Sequence, residues 1–268
     1  MLTVIGYGLG GFVLLAVVLF YGQDGMIFHP RPYGSQELDP MPHGLVALRG
    51  ADGSLVGFYR APADGTPPAR LWFLFGGNGD LALRWDAFAI AHAQPGTGFL
   101  LMEYPGYGAC AGKASPGTIL QANEQAVGLL ATRLGLETTE LHRRAGALGH
   151  SLGAAAALQY AAQHPLRQLV LISPFTTMRA MARQQVGWPL CELLVHRFDN
   201  QACLAGIAAS GLPPTAIIHG EADTVIPVAM SRALVVQHPA IRLSTIADAG
   251  HNDVLDLGDR EVRAAMAE

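Results

Sequence analysis

Six short apolar runs separated by Ala- and Leu-rich stretches constrain this chain more than any other feature. The runs cover residues 71–75, 98–102, 145–149, 169–172, 215–218 and 241–246. Stretches of helical character lie near 80–91, 118–134, 152–163, 176–186, 227–237 and 254–267. Short continuous apolar runs read as strands buried on both faces, and their alternation with helices implies parallel strand–helix–strand units. Ahead of them, residues 44–49 and 54–60 alternate in polarity around Gly50-Ala-Asp-Gly53, a hairpin signal. The expected fold class is therefore α/β: a mostly parallel sheet with helices on both faces and an N-terminal antiparallel hairpin at one edge. A length of 268 residues suits one such domain.

Half of the residues are hydrophobic and only 14% are charged, which is apolar for a domain in water. The excess sits at the N-terminus, where Thr3 to Gly22 contains no charged side chain. Roughly 20 apolar residues span a bilayer as a helix. A cleaved signal peptide would need a basic start and a small-x-small cleavage site. The first Lys or Arg is Arg31, and the residues after Tyr21 offer no such site. Residues 1–23 are accordingly expected to be a single-pass transmembrane anchor. With only Arg31 close by, the positive-inside rule assigns no orientation. Residues 24–42, punctuated by Pro30, Pro32, Pro40 and Pro42, read as a juxtamembrane linker, and 43–268 as the α/β domain. No cluster of Lys or Arg is present, so nucleic acid is not an expected partner. Cys110, Cys191 and Cys203 form no metal-binding spacing; a Cys191–Cys203 disulfide and three unpaired thiols both remain open.

Gly149-His150-Ser151-Leu152-Gly153 fits G-x-S-x-G, and it stands between an apolar run and an Ala-rich helical stretch. That strand–turn–helix setting lifts a serine hydroxyl above the carboxyl edge of the sheet. Gly149 and Gly153 keep side chains out of a turn too tight to hold them. A serine hydroxyl needs a base, and in this setting the chain order is serine, acid, histidine. His251, in the loop after the last strand, is the expected base. Asp223, in the loop after residues 215–218, is the expected orienting acid; Glu221 is the fallback, and Asp248 and Asp253 are weaker rivals. Two N–H donors must face the developing oxyanion. Leu152 supplies one, and Phe75-Gly-Gly-Asn-Gly-Asp80 the other, with Asn78 N–H as donor and Gly76 and Gly77 opening the loop. The rival role for that loop, holding a phosphate, lacks the G-x-x-x-x-G-K-[ST] pattern.

Together these segments resemble the α/β-hydrolase superfamily, and within it the small, single-pass, membrane-anchored serine hydrolases. The likeness runs through MIFHPRPYG, FGGNGD, EYPGYGACAGKASP, SPFTTM, HGEADTVIP and GHND, in order. Gly76 stands where that group usually carries His. The resemblance implies the α/β-hydrolase fold and acyl hydrolysis of a small-molecule or lipid-like ester or thioester, without metal or cofactor. Acyl transfer or peptide cleavage would use the same residues, and a membrane-tethered binding domain without turnover is the alternative class. Residues 175–200 could form a small cap: Met178, Met181 and Ala182, and then Leu190, Leu193 and Leu194, fall at helical spacing around Gly187-Trp-Pro189. Packing onto the domain is the other reading of those residues.

Overall fold

The computed structural model describes residues 2–34 and 36–268, with side chains from residue 10 onward. Met1 of the expected anchor and Ser35 of the expected linker lie outside the described residues. The chain opens with helix α1 (Leu2–Ile27), followed by strands β1 (Leu45–Arg49), β2 (Leu55–Arg60) and β3 (Arg70–Phe75). Helix α2 (Trp85–Ala91), strand β4 (Thr97–Met102), helices α3 (Pro116–Leu134) and α4 (Thr138–Arg144), strand β5 (Ala145–His150) and helix α5 (Leu152–Ala161) come next. Strand β6 (Gln168–Ile172), helices α6 (Met178–Val186) and α7 (Asn200–Gly211), strand β7 (Thr215–Gly220), helix α8 (Val228–Gln237), strand β8 (Arg242–Ile246) and helices α9 (Val254–Leu257) and α10 (Asp259–Ala267) complete the chain.

The eight strands form one sheet in the order β1-β2-β4-β3-β5-β6-β7-β8. β1, β2 and β4 pair antiparallel, and every pairing from β4 to β8 is parallel. Each central strand is buried on both faces, so successive side chains feed two different cores. Leu71, Phe73 and Phe75 of β3 belong to the core on the side of α3, α4, α5, α7 and α8, whereas Trp72 and Leu74 belong to the core on the side of α2, α9 and α10. β3 pairs with both β4 and β5, so the chain reverses its direction of travel across the sheet there. Loops leaving the carboxyl ends of β3 and β5 diverge at that switch point, where sheets of this kind hold ligands.

The turn from β5 into α5 is tight enough to exclude side chains. Ser151 has φ 57° and ψ −117°, a conformation costly for a residue with a Cβ. A Cβ on Gly149 would lie 2.3 Å from Gly153 O, and one on Gly153 would lie 2.0 Å from Phe75 O and 2.5 Å from Gly76 O. Every one of these neighbours is backbone, so none can swing aside.

α1 runs four residues past the expected end of the anchor, and the first residues of the expected linker are tied to the domain at a few points. Phe28 is buried, and Gly108 N–H donates to Arg31 O at 2.7 Å. Tyr33 OH donates to Glu103, just beyond β4, while Ala82 N–H donates to Glu103 Oε1 at 3.3 Å. Burial pushes the Glu103 carboxyl up from 4.5 to about 7, against the smaller opposing effect of these hydrogen bonds.

Two expected outcomes follow from this packing. Gly153→Ala should lower the thermal midpoint severely, because overpacking costs about 1–3 kcal/mol even where neighbours can yield; an unchanged midpoint would contradict the backbone contact. Glu103 binds its proton more tightly in the folded chain than its unfolded value of 4.5 allows, so its contribution to stability is fully present below that pH and is lost as pH rises through about 7. The loss amounts to about 3 kcal/mol. Glu103→Gln carries no titrating proton, so its midpoint relative to the parent, measured in detergent, should rise between about pH 5 and about pH 8; a constant difference would show that the carboxyl is not held protonated.

Candidate functional site

Three loops at the carboxyl edge of the sheet bring Ser151, His251 and Asp223 together. His251 Nε2 lies 2.9 Å from Ser151 Oγ, and His251 Nδ1 lies 2.7 Å from Asp223 Oδ2. A neutral imidazole oriented this way donates Nδ1–H to the carboxylate and presents its Nε2 lone pair to the hydroxyl. The hydroxyl proton therefore has an acceptor at hydrogen-bond distance, and the cation that would form has a carboxylate behind it.

Asp223 is buried, and burial alone would raise its pKa. Hydrogen bonds from His219, His251 and Ile226 N–H, together with the His251 charge, outweigh burial and hold the carboxyl well below the ordinary carboxylate range. Its Oδ1 accepts from Val225 N–H at 2.9 Å and Ile226 N–H at 2.8 Å. His219 is fully buried, with Nε2 at 2.8 Å from Ile226 O and 3.3 Å from Asp223 Oδ2. Both neighbours are acceptors, so His219 carries its proton on Nε2, and its Nδ1 accepts from Ser231 Oγ at 2.7 Å.

The other acids considered from sequence sit elsewhere. Glu221 faces Arg232 at 3.9 Å, and Asp253 accepts from Gly250 N–H at 2.6 Å, which fixes the turn that carries His251. Asp248 occupies a left-handed turn with φ 60°. His164 lies away from the site, 3.0 Å from Glu124.

The loop after β3 faces the β5–α5 turn. Leu152 N–H, first in its helix, and Asn78 N–H have no hydrogen-bond partner among the described residues, and both residues line the cavity that holds Ser151. Gly77 N–H donates to Asp80 Oδ2 at 3.1 Å, so it is committed to holding the loop. A Cβ on Gly77 would lie 3.0 Å from His150 Nδ1, and one on Gly76 2.9 Å from Trp85 Nε1. Trp85 thus occupies the space that a side chain at Gly76 would need. His150 points its Nε2 at His251 O, 3.0 Å away, and burial and the nearby His251 hold its pKa down at about 4. It is therefore a neutral donor that steadies the His251 backbone.

Sequence reasoning did not find the role of the Asn78 side chain. Asn78 Nδ2 donates to Ile27 O at 2.7 Å, and Asn78 Oδ1 accepts from His29 N–H at 2.9 Å and Tyr107 OH at 2.7 Å. The end of α1 is thereby tied to the loop after β3. The same helix is tied to the segment after α6: Gln23 Oε1 accepts from Val195 N–H at 2.7 Å, and Asp24 Oδ1 lies 2.6 Å from His196 Nε2. Between these attachments lies a cavity of about 770 Å³ that contains Ser151 and His251. α6 and the short 3-10 turn Leu190–Leu193 line it opposite the sheet, and Cys191 and Cys203 in this region are free thiols. α1 itself is long and apolar enough to cross a membrane.

No family model matches the chain. Over 213 residues it is 30% identical to the uncharacterized protein Rv2307c of Mycobacterium tuberculosis, an alignment covering 78% of this chain and 72% of that one. It is 24% identical over 226 residues to the uncharacterized protein YfhR of Salmonella typhi, covering 80% and 73%. Among solved structures, the Pyrococcus furiosus esterase Pf2001 superposes with a TM-score of 0.63 at 15% identity, over 90% of this chain and 95% of that one. Est1E from Butyrivibrio proteoclasticus gives 0.60 at 17% identity, over 84% and 98%. The solved structures show that the chain has the α/β-hydrolase fold, and at 30% identity over most of both chains it belongs to the family of Rv2307c.

Proposed function

We propose that this chain is a serine hydrolase that cleaves an ester or thioester through an acyl-enzyme on Ser151, held at a membrane by α1 as a single-pass anchor. The observation that carries this reading is the unbroken hydrogen-bonded sequence from Ser151 Oγ through His251 to the buried Asp223. A binding domain needs no such relay. Ser151 Oγ attacks the acyl carbonyl while His251 Nε2 takes its proton. The negative charge that develops on the carbonyl oxygen is met by Leu152 N–H and Asn78 N–H, and α5 points its positive end at the same place. His251 then gives the proton to the departing alcohol or thiol, leaving Ser151 acylated. A water molecule, deprotonated by His251, attacks the acyl carbon and releases the acid, and the proton returns to Ser151. Asp223 holds the imidazole in the required tautomer and stabilises its cation in both halves. No step calls on a metal or cofactor.

The full chain in detergent, treated with a fluorophosphonate probe, should be labelled stoichiometrically at Ser151, and Ser151→Ala should abolish that labelling. The same substitution should lower kcat on a short ester by on the order of 10⁴-fold or more, and Asp223→Asn by about 10⁴-fold with little change in KM. Hydrolysis persisting in Ser151→Ala above the uncatalysed rate would sink the proposal. The whole chain is the right material, because α1 supplies Leu19 and Gln23 to the cavity and Ile27 O to Asn78.

A further inference from the structure

We infer that the last turns of α1 form one wall of an acyl-chain channel, and that the substrate of Ser151 carries a long acyl chain drawn directly from the bilayer. This rests on the hydrolase reading above. The cavity at Ser151 is bounded by two elements far apart in sequence, and both give it aliphatic side chains: Leu19, Met26 and Ile27 from α1, and Met178, Met181 and Leu193 from the roof. Methionine is unbranched and adaptable, and suits a flexible chain better than a rigid ligand. The polar side chain that α1 brings to this wall is already occupied: Gln23 Nε2 donates to Phe20 O at 2.7 Å while its Oε1 accepts from Val195 N–H. α6 buries none of its residues fully, and its Met178 and Met181, which rest on the edge of the core, also line the cavity.

The depth of α1 supplies the direction. α1 carries no charged side chain before Asp24, which sets the boundary of a hydrocarbon layer, about 30 Å or roughly 20 helical residues thick, near Gly22. Gln23 and Asp24 then stand at the interface, and Leu19 lies one turn inside the apolar layer while also lining the cavity. The side chains of α1 from Phe12 to Tyr21 are largely exposed to the surroundings of the protein. Val195, beside Gln23, is 58% exposed, and Trp188, between α6 and the 3-10 turn, is 72% exposed. An exposed tryptophan is a side chain that membrane interfaces favour, and Trp188 adjoins the 3-10 turn whose Leu193 O accepts from Gln23 Nε2. An acyl chain in the adjacent leaflet thus reaches Ser151 along Leu19 and Met26 without crossing water, and the polar loop after β3 receives the bond to be cut.

The test uses the full chain in phosphatidylcholine vesicles and a fluorophosphonate with a hexadecyl chain that carries a diazirine at its far end. Once Ser151 is labelled, light fixes the chain end to its neighbours, and peptide mass locates the crosslink. Crosslinks within α1 are expected. Labelling by a series of alkyl fluorophosphonates should quicken by about fourfold per added methylene until the channel is full. Leu19→Trp, which narrows the channel, should cut the hexadecyl-to-ethyl rate ratio about tenfold or more. Labelling at Ser151 with crosslinks confined to elements other than α1, or with no dependence on chain length, would overturn the inference and leave the hydrolase reading standing. Absence of any Ser151 adduct would overturn the hydrolase reading itself.

Discussion

Helix α5 begins where a methyl group cannot fit. Gly153 faces the carbonyls of Phe75 and Gly76, and Gly149 faces Gly153 across the turn, all at distances that only backbone without Cβ allows. This contact sets the spacing between the ends of β3 and β5, which register as Phe75 opposite Gly149. The spacing in turn decides how near Asn78 N–H comes to Leu152 N–H, and both donors are backbone groups that no rotamer change can re-aim. The strained φ of Ser151 belongs to the same arrangement. Its cost is sustained by the two apolar cores that clamp β3 and β5 from either side.

The electrostatics of the site follow from the same rigidity. Burial raises the pKa of a carboxyl, and it lifts Glu103, whose partners are a phenol and backbone N–H groups, to about 7. Asp223 is also buried yet keeps its charge, because two backbone N–H groups and two imidazoles converge on its two oxygens. The loop from Gly220 to Ile226 supplies the N–H groups, and Gly220 allows that loop to pass beneath the chain that carries His251: a Cβ there would lie 2.2 Å from Ala249 O. Glu103 and Asp223 thus differ in how tightly they hold a proton because of what faces them, while Asp86, buried as well, has Arg60 as its partner.

The sheet was readable from sequence because each strand is a separate apolar run, and the observed strands fall within about two residues of those runs. Ser151, Asp223 and His251 were readable for a related reason: in a sheet of this topology the loops follow the strands in chain order. Helices α4 and α7 were not. α4 is the polar segment TTELHRR, and α7, NQACLAGIAASG, is built of small residues without an apolar stripe. The final helix divides at Gly258, where a Cβ would lie 2.7 Å from Val254 O. Asn78 and Gln23 escaped notice as structural partners because their bonds depend on tertiary placement. The bonds of Asn78 and Gln23 to Ile27 and Val195 span 51 and 172 positions. Local propensity carries no trace of such pairs.

Those two long-range bonds alter what α1 is for. A helix apolar on every side has no stable place in water. Were it a tether alone, a flexible connection to the domain would suffice. Instead, its last carbonyl and the His29 N–H are both held by Asn78, and Gln23 and Asp24 hold the chain beside the roof. The helix therefore enters the domain at a fixed angle, between the loop that would bind the oxyanion and the roof that closes the cavity. Rotation of α1 by one residue, about 100°, would break both attachments at once. The orientation of the helix and the geometry around Ser151 are thus a single structural variable.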